Sequence, residues 1–179
     1  MNKIKTFKKF NSEDIFRYIR NGDIESVKNY IKFGYDLNIQ SNDAYTPLSY
    51  AVVFKKIEIV KLLLNAGSDL NKQNNVGNTA LIKAAYYNNV EIVELLLNAG
   101  ADIDKQDIDG NTALIFSTYI NNHEIVQLLL NAGTNVNKQN NDGNTALIYA
   151  SNNVEIIKLL LDAGADIDKQ NNIGDTALI

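Results

Sequence analysis

Short stretches with apolar residues three and four positions apart alternate with polar segments rich in Asn, Asp, Lys and Gln, and this alternation recurs along almost the whole chain. Leu48, Ala51 and Val52 mark one apolar helical face. Thr46 before them supplies a hydroxyl N-cap, and Pro47 suits a first turn, where its missing N–H has no partner to lose. A short first helix is predicted. After a turn at Lys55 and Lys56, Ile59, Val60, Leu62, Leu63 and Leu64 form a broad apolar stripe that ends at Gly67, a residue suited to the left-handed stop. A second, antiparallel helix is predicted, apolar on more than one side. The polar segment from Asp69 to Asn75, with Gly77 just beyond, has the turn residues of a hairpin-like projection.

This unit repeats. Gly34, Gly67, Gly100 and Gly133 lie 33 residues apart, and Gly164 comes next at 31. Around them recur LLLNAGSDLNKQNN, LLLNAGADIDKQDI, LLLNAGTNVNKQNN and LLLDAGADIDKQNN. A unit of that length falls below the roughly 40 residues under which single domains seldom fold alone, so its stability must come from neighbours in a stack. The expected organisation is a basic N-terminal tail over 1–11 and one repeat domain over 12–179. The domain divides into a degenerate capping repeat (12–42), full repeats at 43–75, 76–108 and 109–141, a shortened repeat at 142–172 and an incomplete one at 173–179.

The segment GNTALI…NNVEIVELLLNAGADIDKQ closely resembles the ankyrin repeat. The resemblance is carried by Thr46-Pro47-Leu48, Thr79-Ala80-Leu81, Thr112-Ala113-Leu114, Thr145-Ala146-Leu147 and Thr176-Ala177-Leu178, and covers about residues 12 to 179. It implies an all-α repeat solenoid of antiparallel helix pairs joined by β-hairpin-like loops, with a concave face made of loops and first helices. It also implies a non-enzymatic protein-protein interaction module. The runner-up expectation is a structural spacer, or a remnant of a longer ankyrin protein, with no binding activity of its own.

Several departures from the family pattern change the picture. The family's His after Leu is replaced by Ser49, Ile82, Ile115, Ile148 and Ile179, so burial of Ile has to compensate for the absent imidazole hydrogen bonds. The first unit lacks the Thr-Pro-Leu opening and holds Tyr18 where later units have a small residue; Ser12 is its expected helix N-cap, with Glu13 and Asp14 complementing the helix dipole. The unit opening at Gly143 is two residues short, since Ala146 to Glu155 spans nine steps where Ala80 to Glu91 spans eleven. The missing pair falls after Ala150 and Ser151, at the end of the first helix; two residues removed inside a helix would rotate the rest of the unit by about 200°, so the shortening is expected to be absorbed in the turn at Asn152 and Asn153. The sequence stops one turn into the last unit, with no capping repeat, and the second helix ending at Asp162 is expected to leave apolar surface for a continuation or a partner to cover.

Composition narrows the function classes. No apolar run approaches the roughly 18 residues a membrane span needs. The first ten residues carry four Lys among Ile4, Phe7 and Phe10, without the continuous apolar core of a secretory signal. With no Cys, disulfides and thiolate metal sites are excluded, which suits a reducing intracellular compartment. A net charge of -4 disfavours nucleic acid. The lone His123 lacks the partners of a general base and the companions of a zinc site, so no cofactor, metal or small-molecule substrate is expected. Asp69, Asn71, Asp102, Asp104, Asn135, Asn137, Asp166 and Asp168 recur once per unit without a calcium loop's clustering, and are read as turn residues that satisfy backbone groups.

The surface remains. Positions four, seven and eight after each Thr share a stripe of the first helix: Tyr50, Val53 and Phe54; Lys83, Tyr86 and Tyr87; Phe116, Tyr119 and Ile120. By resemblance this stripe lines the concave groove. Its aromatics are the residue types interface hot spots favour, so Tyr50, Phe54, Lys83, Tyr86, Tyr87, Phe116, Tyr119 and Ile120 are the candidate partner-binding residues. Tyr149 continues the series into the short unit. Lys72-Gln73-Asn74-Asn75 and its counterparts from Lys105, Lys138 and Lys169 are expected to stack as a polar rim. The AT-rich composition resembles that of ankyrin proteins from intracellular bacteria and large DNA viruses, which would make the partner a host protein.

Overall fold

The computed structural model describes residues 11, 13–150 and 153–177. Among them are ten helices and no strand, arranged as five antiparallel pairs: α1 (Asp14–Asn21) with α2 (Ile24–Lys32), α3 (Pro47–Val53) with α4 (Ile57–Asn65), α5 (Ala80–Tyr86) with α6 (Val90–Asn98), α7 (Ala113–Tyr119) with α8 (His123–Asn131), and α9 (Ala146–Tyr149) with α10 (Val154–Asp162). First helices pack on first helices of adjacent units and second on second, so α5 contacts α3, α6 and α7. The predicted all-α stack is the observed architecture.

Four of the five first helices start at a threonine hydroxyl cap. Thr46, Thr79, Thr112 and Thr145 accept from the N–H three residues on, at 3.2, 3.3, 3.2 and 3.4 Å. Only Thr46 has a reciprocal bond, because Ser49 Oγ accepts from the Thr46 N–H at 2.9 Å. Ile82 and Ile115 stand in the equivalent slot and are buried instead. Second helices begin at Asp23, Asn89, Asn122 and Asn153, whose side chains cap, and at Lys56, whose side chain does not. The expected apolar faces are largely in place: Leu48, Ala51, Val52, Ile59, Val60 and Leu63 are buried, while Leu62 and Leu64 are half-buried.

Two sequence expectations concern the ends of first helices. The first helix of the short unit ends at Tyr149 after four residues, where its counterparts run for seven. The shortening thus falls at the end of the first helix, Ser151 and Asn152 of the expected turn region lie outside the described residues, and α10 still packs against α8 as α8 does against α6. Ser12 lies outside the described residues; α1 starts with Glu13 at the cap position and no side-chain bond there, and Asp14 supplies the first-turn charge.

Since the segments between helix pairs form no strands, their backbone N–H groups need other acceptors. The recurring Asn and Asp oxygens provide them in relay. Asp69 N–H donates to Asn38 Oδ1, Asn71 N–H to Asp69 Oδ1, and Asp102 N–H to Asn71 Oδ1, each at 2.8 Å. The series continues through Asp104, Asn135 and Asn137 to Asp166 and Asp168, alternating bonds within a repeat and between repeats. A second ladder uses glutamine: Gln73 Nε2 donates to Gly77 O and, at 2.8 Å, to Gln106 O of the next repeat, and Gln106 and Gln139 repeat the pattern.

The turn tips meet as closely as backbones can. Gly110 has φ +79, and a Cβ there would lie 2.7 Å from the Asn141 backbone nitrogen. Ala44 holds the corresponding place in the first repeat at φ 58. There the tip-to-tip bond from Asn75 N–H to Asp43 O stretches to 3.4 Å, against 2.9 Å for Asn141 N–H to Asp109 O. A non-glycine residue in this region costs about 1–2 kcal/mol. Ala44→Gly is expected to raise the unfolding free energy by about 1 kcal/mol, and Gly110→Ala to lower it by at least about 1 kcal/mol. Urea denaturation of the two variants checks both signs; equal effects would show that neither the strain nor the close approach matters.

Candidate functional site

The stripe of first-helix residues forms one surface with the turn tips. Tyr50 lies beside Ser41, Asn42 and Asp43 in a recess of about 330 Å³ that also takes in Glu13, Phe16 and Arg20. A second recess, of about 190 Å³, is lined by Asn111, Ile115, Phe116, Tyr119 and Tyr149. Both combine one turn tip with two adjacent first helices.

The aromatic rings run across repeats in short series. Phe16 and Tyr50 meet edge to face at 5.2 Å, and Tyr50 and Phe54 lie 4.8 Å apart. Tyr86 contacts Tyr87 at 5.3 Å and Phe116 of the next repeat at 5.5 Å; Tyr119 contacts Tyr149 at 6.0 Å. Such pairs contribute about 0.5–1.5 kcal/mol each, so part of the stripe joins repeats together. Tyr50, Phe54, Lys83, Tyr87, Phe116 and Ile120 are half-buried. Tyr86 and Tyr119 are exposed, at 48% and 65%. Phe16, Arg20, Tyr45 and Asn111 belong to the same surface and were not among the sequence candidates. Phe16 stands 33 residues before Ser49, so counting the register back into the degenerate first unit would have placed it on a first helix.

Cations of the chain cover some of these rings. The Arg20 guanidinium lies 5.4 Å from the Phe54 centroid, and Lys83 Nζ lies 5.5 and 5.8 Å from those of Tyr86 and Tyr87. Tyr149 is tied down differently: its hydroxyl accepts from Asn140 Nδ2 at 3.1 Å and from Asn144 Nδ2 at 3.3 Å.

The expected polar rim is differently occupied. Gln73, Gln106 and Gln139 are committed to the inter-repeat ladder, while Lys72 and Lys138 donate to Asn38 O and Asp104 O at 2.7 and 2.8 Å. These side chains hold repeats together. Among the described residues, no group of three or more His, Cys, Asp or Glu is placed to hold a metal ion. His123 is exposed at the start of α8.

One tip residue is electrostatically out of place. Asp107 replaces the asparagine of Asn74, Asn140 and Asn171, and like them it accepts from two backbone N–H groups, those of Asp109 and Asn111. Burial pushes its carboxyl above the usual range, against the pull of those bonds. Asn140 and Asn171 also donate through Nδ2 to Asn111 and Asn144 of the preceding repeat, which a carboxylate cannot do. Asp107→Asn is expected to stabilise the fold at neutral pH by about 1 kcal/mol. A carboxyl raised in the folded state contributes most when protonated, so the gain should shrink as pH falls through the aspartate range. Thermal melts of both proteins across pH would read this; a constant difference would remove the carboxylate as the cause.

No helix among the described residues is long and apolar enough to cross a membrane. A search of curated proteins finds none that matches the chain. A family model described as ankyrin repeats (three copies) matches residues 15–107 and 100–171. That match spans most of the sequence and every helix pair described above. With its caps, paired helices and bonded turns, the chain belongs to the ankyrin-repeat family, whose repeats generally serve as protein-protein interaction modules.

Proposed function

We propose that this chain is a non-enzymatic binding module that takes a partner protein on the face formed by its first helices and turn tips. The observation that carries the reading is the exposure of Tyr86 and Tyr119 in a row of otherwise half-buried aromatics. Rigid rings standing on packed helices exclude water at little conformational cost, which is the physical basis of an interface anchor. Lys83, Tyr87 and Phe116 pack against Tyr86, and Tyr50, Phe54 and Ile120 complete the proposed face. Nucleic acid, a lipid surface and a small-molecule substrate are not the proposed ligands, and the net charge of -4 opposes phosphate backbones in particular.

The spacer alternative draws on the inter-repeat ring pairs Tyr86 with Phe116 and Tyr119 with Tyr149, which would be useful to a rod that binds nothing. Affinity capture separates the two. The double variant Tyr86→Glu with Tyr119→Glu is expected to weaken capture of a partner identified by mass spectrometry at least thirtyfold, about 2 kcal/mol, with helical circular dichroism unchanged. Undiminished capture would move the binding face elsewhere, and absence of any saturable partner would favour the spacer.

A further inference from the structure

The two halves of the first-helix face differ in what covers their rings. In the amino-terminal half the chain's own cations do so, Arg20 over Phe54 and Lys83 over Tyr86 and Tyr87. In the carboxy-terminal half, among the described residues, no cation lies over Tyr119 or Tyr149, although Tyr119 is the more exposed of the two anchors. Neither α7 nor α9 contains a Lys or Arg, and neither do the tips at 107–111, 140–144 and 171–175. Those tips carry Asp107, Asp109, Asp142 and Asp175.

Two of these acids, Asp109 and Asp142, are exposed on turn tips linked by hydrogen bonds to the recess lined by Asn111, Ile115, Phe116, Tyr119 and Tyr149. Asp109 is two residues from Asn111 of that lining, and its carbonyl accepts from the Asn141 N–H at 2.9 Å. Asp142 directly follows Asn141, and its N–H donates to Asn140 Oδ1; the amide of Asn140 in turn holds the Tyr149 hydroxyl. The recess thus offers the exposed ring of Tyr119 over an apolar floor from Ile115 and Phe116, and the turn tips that adjoin it carry carboxylates that form no ion pair among the described residues. A guanidinium suits it on each count: it stacks on a tyrosine face, forks to a carboxylate and is weakly hydrated for a charged group.

We infer that the recess between α7 and α9 is a subsite for an arginine side chain of the partner, so that the segment bound on this face is basic, with apolar residues flanking the arginine. The inference rests on the face proposed above and adds the chemistry of what occupies one end of it.

Four fluorescein-labelled nonapeptides sharing a Gly and Leu frame, and differing only in two central residues (Arg, Lys, Gln or Glu), test it by anisotropy against the full chain at low and high salt. The Arg peptide is expected to bind about tenfold more tightly than the Gln peptide, with Lys between them and Glu weakest. Asp109→Asn with Asp142→Asn should remove most of the preference for Arg. Glu124→Gln with Glu155→Gln, the same change in net charge on the second helices, should leave it intact. Equal binding of all four peptides, or equal loss in both double variants, would overturn the arginine subsite, the second outcome reducing it to diffuse attraction. If the tyrosine double variant loses its partner while the peptides bind alike, only the subsite falls. If that variant keeps its partner, the face and the subsite fall together.

Discussion

The structure depends on finding acceptors for backbone N–H groups in segments that are neither helix nor strand. A helix satisfies its own amides after the first turn, but the dozen or so residues between successive pairs have no such internal supply. Here one side-chain oxygen per short interval closes the gap, with Asn38, Asn71, Asp104 and Asn137 each reaching from one repeat to the next. Each bond contributes only about 0.5–1.5 kcal/mol net and lies at an exposed position, so its weight comes from repetition along the stack. Repeat-to-repeat packing of the apolar faces is then possible at one spacing, the one at which the relay closes.

That constraint also sorts the surface. Polar side chains at the tips look from composition like a solvated rim, yet most are occupied holding the neighbouring repeat. The proposed recognition rests on positions the relay does not use: the outward rings of the first helices and the acids at the turn tips. A stack of this kind separates the residues that make it stand from those that vary its surface, even though both lie within the same few turns.

Much of this is legible in the sequence. The threonine caps, the apolar triplets and the 33-residue spacing of glycines predict the helix pairs and their stacking, because each is a local signal with a local cause. Less legible are features set by what lies one repeat away. The donors of Gln73 and Gln106 go to carbonyls 33 residues on, and nothing in the residue type names that partner. Ala44 gives no warning that it occupies a left-handed position, since only alignment to Gly77 and Gly110 reveals it. Alignment of the units places the missing pair at the end of the short unit's first helix, and that helix is four residues long. Helical register finds the candidate stripe, while its division into supporting and open rings depends on neighbours the register does not describe.

The shortened repeat has a consequence for how such a molecule can change. The Gln139 amide reaches Gln170 across 31 residues at 2.9 Å, the same link that Gln106 makes to Gln139 across 33. The ladder therefore measures position at the turn tips and is indifferent to chain length between them. Insertions and deletions confined to the end of a first helix leave the pitch of the stack untouched while remodelling the surface beside them. Whole units can be duplicated or dropped by recombination between like turns, so the first-helix face can be lengthened or shortened one repeat at a time with the same glutamine ladder joining the repeats.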